Sequence, residues 1–189
     1  MNKYIFILFA AMCIAQWVVP GMMIADSESV ISEGKEFKFK TEPIDPSDPF
    51  RGKYITLRFE ADNVELEGTV EFQTGQKIFV TFEEDSAGFA VPSGIYKTEP
   101  ETPYYLETKI AYVSSHRDHR VHFDLPFNRF YLEESKALKA EELYREAQQD
   151  SMQVAYALVN LGAGQAVIKD VILNNRPILD LINESNTSP

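Results

Sequence analysis

The sequence predicts an α+β protein: an N-terminal transmembrane helix followed by a mostly antiparallel β domain with one main α-helix. Three patterns carry that prediction. Residues 4–25 form a run of 22 without a charge, mostly Ile, Leu, Phe, Ala, Met and Val. Apolar and polar residues alternate in short runs between residues 36 and 123, the period of half-buried strands. Residues 133–149 are rich in Ala, Glu, Leu, Lys and Gln and hold neither Gly nor Pro, which is helix composition.

At about 1.5 Å per residue, roughly 20 apolar residues cross a hydrocarbon core of about 30 Å, so Tyr4–Ala25 is long enough to span. Trp17 lies toward the far end, within reach of the interface, and Pro20-Gly21 predicts that the helix stops or bends there. Lys3 and the amino terminus are the only positive charges before the run, whereas Asp26, Glu28 and Glu33 precede the next Lys, Lys35. That asymmetry places the N-terminus inside and the remainder outside. The competing reading is a secretory signal, with residues 4–15 as its apolar region and Cys13-Ile14-Ala15 as a small-x-small cleavage site. Met12 before Cys13 speaks against a lipoprotein signal. Both readings export the rest, giving residues 1–25 as anchor (or signal peptide), 26–182 as an extracytoplasmic domain and 183–189 as a polar tail.

Composition excludes several classes of function. The chain of 189 residues carries 18 Lys+Arg against 29 Asp+Glu, a net charge of -11. No basic face is available for a phosphate backbone, so nucleic acid is not expected as a partner. Beyond residue 25 the balance is 17 against 29, or -12, because Lys3 is the only charge removed. A domain of that sign is repelled by anionic lipid headgroups. The single cysteine, Cys13, rules out an internal disulfide and any cysteine-rich zinc site.

Along the exported part, Glu36–Thr41 puts Phe37 and Phe39 on one face of a strand. Pro43, Pro46 and Pro49 then stiffen a loop. Lys53–Glu60 alternates again with Ile55, Leu57 and Phe59 inward, and residues 76–82 align Ile78, Val80 and Phe82. Residues 88–91, 104–113 and 120–123 are further strands between prolines and polar stretches. In the helix at 133–149, Ala137, Ala140, Tyr144 and Ala147 recur at three- and four-residue steps as a buried stripe. Residues 152–161 and 165–173 close the domain as strands on either side of a Gly162-Ala163-Gly164 hairpin, with Asn174-Asn175 as the next turn and a frayed tail from Asn183.

The chemistry-bearing candidates are few. His116, His119 and His122 recur every three residues, but in a strand-and-turn setting His119 faces away from the other two, and no fourth ligand is nominated, so no metal is expected. Asp45 and Asp48, set among prolines, read as turn residues capping backbone N–H groups rather than an acid–base pair. Glu83-Glu84-Asp85 lacks the spacing and Gly of a calcium loop. No nucleophile elbow, phosphate loop or dinucleotide fingerprint is present, and no cofactor or catalytic set is expected. Tyr96, Tyr104, Tyr105 and Tyr112 offer a platform for a small molecule or glycan, or plain sheet packing. At Arg51–Phe59, Gly52 suits the corner where a proline-constrained loop enters a strand. Tyr54 and Leu57 point opposite ways along it, so one packs inward and the other meets solvent or a partner. The motif residues Asp45, Asp48, Arg51, Gly52, Tyr54 and Leu57 form either a plain loop-to-strand corner or, through Asp48, Arg51 and Tyr54, a docking surface.

Arg51-Gly52-Lys53-Tyr54-Ile55-Thr56-Leu57-Arg58-Phe59, after Pro43–Phe50, resembles the GDYxxLxY family of bacterial membrane-anchored proteins. Gly52, Tyr54 and Leu57 match the motif; Lys53 stands where the family usually has Asp, and Phe59 where it usually has Tyr. The likeness extends to Gln16-Trp17…Pro20, to residues 130–146 and to Ala166–Lys169. It implies a single anchor followed by an extracytoplasmic domain, often encoded beside multi-spanning membrane proteins of unknown role; the expected place is the bacterial inner (cytoplasmic) membrane and the expected partner a multi-spanning membrane protein. It implies no established activity, and Lys53 counts against catalysis by the motif acid. The expected function is therefore a non-catalytic envelope protein that binds another membrane protein; the alternatives are an exported hydrolase or metal-dependent enzyme, or a small-molecule or glycan binder.

Overall fold

Residues 3–42, 54–65, 72–114, 120–149 and 154–185 are described by the computed structural model. The first element, α1 (Lys3–Glu33), is a single helix of 31 residues with Pro20 inside it. The stop anticipated at Pro20-Gly21 is thus not where the helix ends. A proline removes one backbone hydrogen bond, a local loss that leaves the bonds on either side intact. Its most apolar window has a mean hydropathy of 2.0 and is 0% buried within the protein, long and apolar enough to cross a membrane. That fits a single-pass anchor or a signal sequence.

The strands that follow are β1 (Lys35–Lys40), β2 (Tyr54–Thr56), β3 (Asn63–Glu65), β4 (Lys77–Glu84), β5 (Ala90–Tyr96), β6 (Tyr105–Val113), β7 (Arg120–Phe123) and β8 (Arg129–Tyr131). Then come α2 (Glu134–Gln149), β9 (Ala155–Gly162), β10 (Gln165–Leu173), β11 (Arg176–Pro177) and α3 (Ile178–Ser185). One sheet has the order β1-β9-β10-β11, a second has β3-β7-β6-β4-β5, and β2 pairs with β8 alone. All of these pairings are antiparallel. The fold is α+β, as the sequence indicates.

The two larger sheets face each other across an aromatic core. Phe37 and Phe39 on β1 reach Phe82 on β4, with ring centroids 6.5 and 5.1 Å apart, and Phe82 meets Phe123 on β7 at 6.4 Å. The alternation explains which side faces in: Phe37 and Phe39 are buried while Glu36 and Lys38 are exposed. Ile55, Leu57 and Phe59 enter the same core. The stripe Ala137, Ala140, Tyr144 and Ala147 is buried, and α2 packs against β2, β9 and α3.

Two turns follow from left-handed residues. Ala163 (φ 48°) and Gly164 (φ 82°) form a two-residue loop between β9 and β10, and Asn174 (φ 51°) and Asn175 (φ 62°) do the same before β11. Positive φ at both positions is the type I′ geometry that matches strand twist. The tail expected from Asn183 begins inside α3, whose Ile178 and Ile182 are fully buried, so apolar packing holds that end of the chain in a helix.

Candidate interaction surface

The proposed docking corner divides between described and undescribed residues. Asp45, Asp48, Arg51 and Gly52 lie outside the described residues, as do His116 and His119. The chain is described again from Tyr54, where β2 begins. Tyr54 pairs with Tyr131, Ile55 with Phe130 and Thr56 with Arg129. The pleat sends Ile55 and Phe130 into the core and leaves Tyr54, Thr56, Arg129 and Tyr131 on the other face. Leu57 is 2% exposed and belongs to the core, so of Tyr54 and Leu57 it is the tyrosine that stands at the surface.

On that outer face the Tyr54 and Tyr131 rings lie 5.4 Å apart, tilted by 57°. The Arg129 guanidinium sits 5.0 Å over the Tyr54 ring. The Tyr131 phenol, first, and then that of Tyr54 raise the Arg129 pKa further above its already high value. Tyr131 is 65% exposed. The outer face thus carries a cation beside two phenols, residue types enriched at binding hot spots. Only Tyr54 of this trio is evident from sequence. Arg129-Phe130-Tyr131 is too short an alternation to announce a strand, and pairing alone brings it beside the motif.

A neighbouring groove of about 500 Å³ is lined by Leu57, Arg58, Asp62, Tyr112, His122 and Asp124 among others. His122 stacks on Tyr112, with centroids 4.2 Å apart and planes 13° from parallel. Its Nδ1 lies 3.7 Å from Asp62 Oδ1, an ion-pair distance beyond hydrogen-bond reach. Among the described residues no group of three His, Cys, Asp or Glu side chains is arranged to hold a metal. The four tyrosines of the suggested platform are not equivalent: Tyr105 is 6% exposed, packs edge-on against Phe79, and donates its phenol proton to Glu99. Glu83 and Glu84 end β4, and Asp85 turns the chain by accepting from the N–H groups of Ala87 (2.8 Å) and Phe89 (2.9 Å).

The feature least visible in the sequence is the junction between α1 and the domain. Val30 is the one buried residue of α1 among the described residues. It lies on β9 and β10 beside Gly162, and Asn160 of β9 donates from Nδ2 to the Ile31 carbonyl at 2.8 Å. Asn160 stands in an apolar strand, where its amide has no sequence signal; the helix end that it meets lies 129 positions earlier.

No curated protein and no solved structure matches the chain. A family model, that of the GDYXXLXY protein, matches residues 16–171, which cover part of α1 and nearly all of the β domain. The chain belongs to the GDYXXLXY protein family.

Proposed function

We propose that this protein is a non-catalytic, membrane-anchored envelope protein whose extracytoplasmic domain binds another membrane protein, one with several spans. The anchor stays in the bacterial inner membrane with the N-terminus inside. The observation that carries this reading is the continuity of α1: the helix that holds the apolar run ends on the β9–β10 face, bound there by Val30 and Asn160. Cleavage after Ala15 would leave residues 16–25, ten uncharged residues, projecting into water from a docked helix. The family match, which begins at residue 16, takes in the second half of the apolar run and supports this reading. The Arg129–Tyr54–Tyr131 face supplies a contact surface of the kind that partners use.

The test is affinity purification of the full chain, tagged at its C-terminus, from gently solubilised native membranes. The expected result is a full-length band with a stoichiometric membrane protein that is lost with Tyr131→Ala or Arg129→Ala. A shortened, released band without a partner overturns the reading.

A further inference from the structure

We propose that α1 binds a transmembrane helix of another protein along the side that carries Gln16, and that this helix ends beneath the β9–β10 face of the domain. The inference rests on the anchored-module reading above and names where in the membrane the partner is held.

Gln16 is the one amide side chain in the uncharged run of residues 4–25, and it lies within about 3 Å of the middle of that run along the axis. The side chain is exposed and makes no hydrogen bond among the described residues. Four residues on is Pro20, inside the helix. Having no N–H, Pro20 leaves the Gln16 main-chain carbonyl without its helical donor. One turn therefore presents an unpaired amide and an unpaired carbonyl at a depth where water is scarce. Groups of this kind are satisfied in membranes by hydroxyl or amide donors on a neighbouring helix. The occupant is accordingly an apolar helix with at least one such donor near its midpoint.

The second observation is one of phase. Gly34, at the end of α1 against Leu161, follows Gln16 by 18 residues (34 less 16), about five full turns. Val30 and Met12 both fall about 40° from the same line, and Met23 about 20° from it on that side. The side of α1 that carries Gln16 in the membrane is thus the side on which the domain sits above it. A second copy of this chain does not fit there: two parallel helices packed along that line would drive both domains, each of net charge -12, into the same space. A helix that ends at the membrane surface fits under the domain, and its extracytoplasmic loop then meets the sheet.

The experiment places photoreactive benzoylphenylalanine, one site at a time, in the full chain in native membranes. The positions are Met12 and Met23 on the Gln16 side, Ile14 and Ala25 opposite, and Tyr131 on the domain. The expected result is cross-linking to one membrane protein from Met12 and Met23 but not from Ile14 and Ala25. Adding Gln16→Leu is expected to lower the Met23 yield about three- to tenfold at unchanged protein level. Equal yields from both sides, or no effect of Gln16→Leu, overturns the inference. A product of twice the chain's own mass from Met12 or Met23 overturns the choice of occupant in favour of a second copy. Cross-links from Tyr131 without any from Met12 or Met23 leave the binding-module reading standing and remove this one; silence at every position removes both.

Discussion

Asn160 holds the end of α1: its Nδ2 donates to the Ile31 carbonyl at 2.8 Å and lies 3.5 Å from the Val30 carbonyl. The last four carbonyls of any helix lack a helical donor, and Ile31 is among them in α1. Asn160 is 4% exposed, and its Oδ1 is buried without a partner among the described residues. Asn160→Leu removes the donor and that orphan acceptor together, so its net cost is modest, about 1 kcal/mol. Asn160→Asp sets carboxylate oxygens against two carbonyls and is expected to cost about 3 kcal/mol or more. Acidification should relieve the Asp variant alone, since a protonated carboxyl regains a donor. Melting of the full chain in detergent at two pH values checks the order, and equal costs for the two variants would refute it.

Gly34 makes the same junction possible by lacking a side chain. A Cβ there would sit 2.3 Å from the Val30 carbonyl oxygen and 2.9 Å from that of Leu161, both main-chain atoms. Gly34→Ala must therefore push the helix off the sheet, at a cost of about 1–3 kcal/mol. Gly21, with nothing within 4 Å of its added Cβ, is the control. Gly21→Ala is expected to leave the melting temperature unchanged or slightly raised, and hydrogen exchange across residues 26–33 should quicken only in the Gly34 variant.

Most of the β domain is legible from alternation, because a sheet with one wet face writes its pleat into the sequence. Gln165–Leu173 and Arg120–Phe123 are strands with the bounds that the pattern suggests, and the stripe of α2 is buried as its spacing implies. What escaped has a physical reason in each case. Asn63–Glu65 and Arg129–Tyr131 are three residues long, too short to show a period, and exist because β7 and β2 offer them hydrogen bonds. The eight-residue α3 follows two Asn turns and owes its place to Ile178 and Ile182 in the core. The candidate surface was half legible: Tyr54 stood out by its motif, but Arg129 and Tyr131 reach it only through pairing across more than seventy residues. The junction at Asn160 was not legible at all, since a lone Asn in a strand does not name its partner.

Tyr131 separates fold from binding. It is 65% exposed, and its ring lies 5.4 Å from that of Tyr54 on the outer face. Tyr131→Ala is expected to change stability by no more than about 0.5–1 kcal/mol. If partner capture falls while the melting curve stays, the outer face is a contact surface; a large loss of stability would return it to a packing role.

Phe39 is the opposite case. It is 0% exposed and its ring meets those of Phe59, Phe82 and Phe127 at 5.8, 5.1 and 5.0 Å, each edge-on. Phe39→Ala removes one of the two rings that tie β1 to the facing sheet and opens a cavity among three others, at an expected cost of about 3–5 kcal/mol. Phe39→Leu, which refills much of the volume, should cost less than half as much. Denaturant midpoints of the two variants test the ratio.

Tyr105 gives the domain a dated weakness to alkali. Its phenol donates to Glu99, and its pKa is pushed up from 10.0 to about 12, first by that hydrogen bond, then by burial and by the charges of Glu99 and Glu107. The unfolded chain releases this proton near 10 while the folded chain keeps it to about 12. The contribution to stability is therefore complete below pH 10 and is lost as pH rises from 10 to 12. Tyr105→Phe keeps the ring against Phe79 and frees an exposed Glu99 to water, so it should cost only about 1 kcal/mol at neutral pH. Across the alkaline window the variant should lose less stability than the wild type, bringing the two curves together. Denaturant midpoints at neutral pH and at each end of that window decide it, because a gap that stays constant with pH would mean that the phenol proton contributes nothing specific to the folded state.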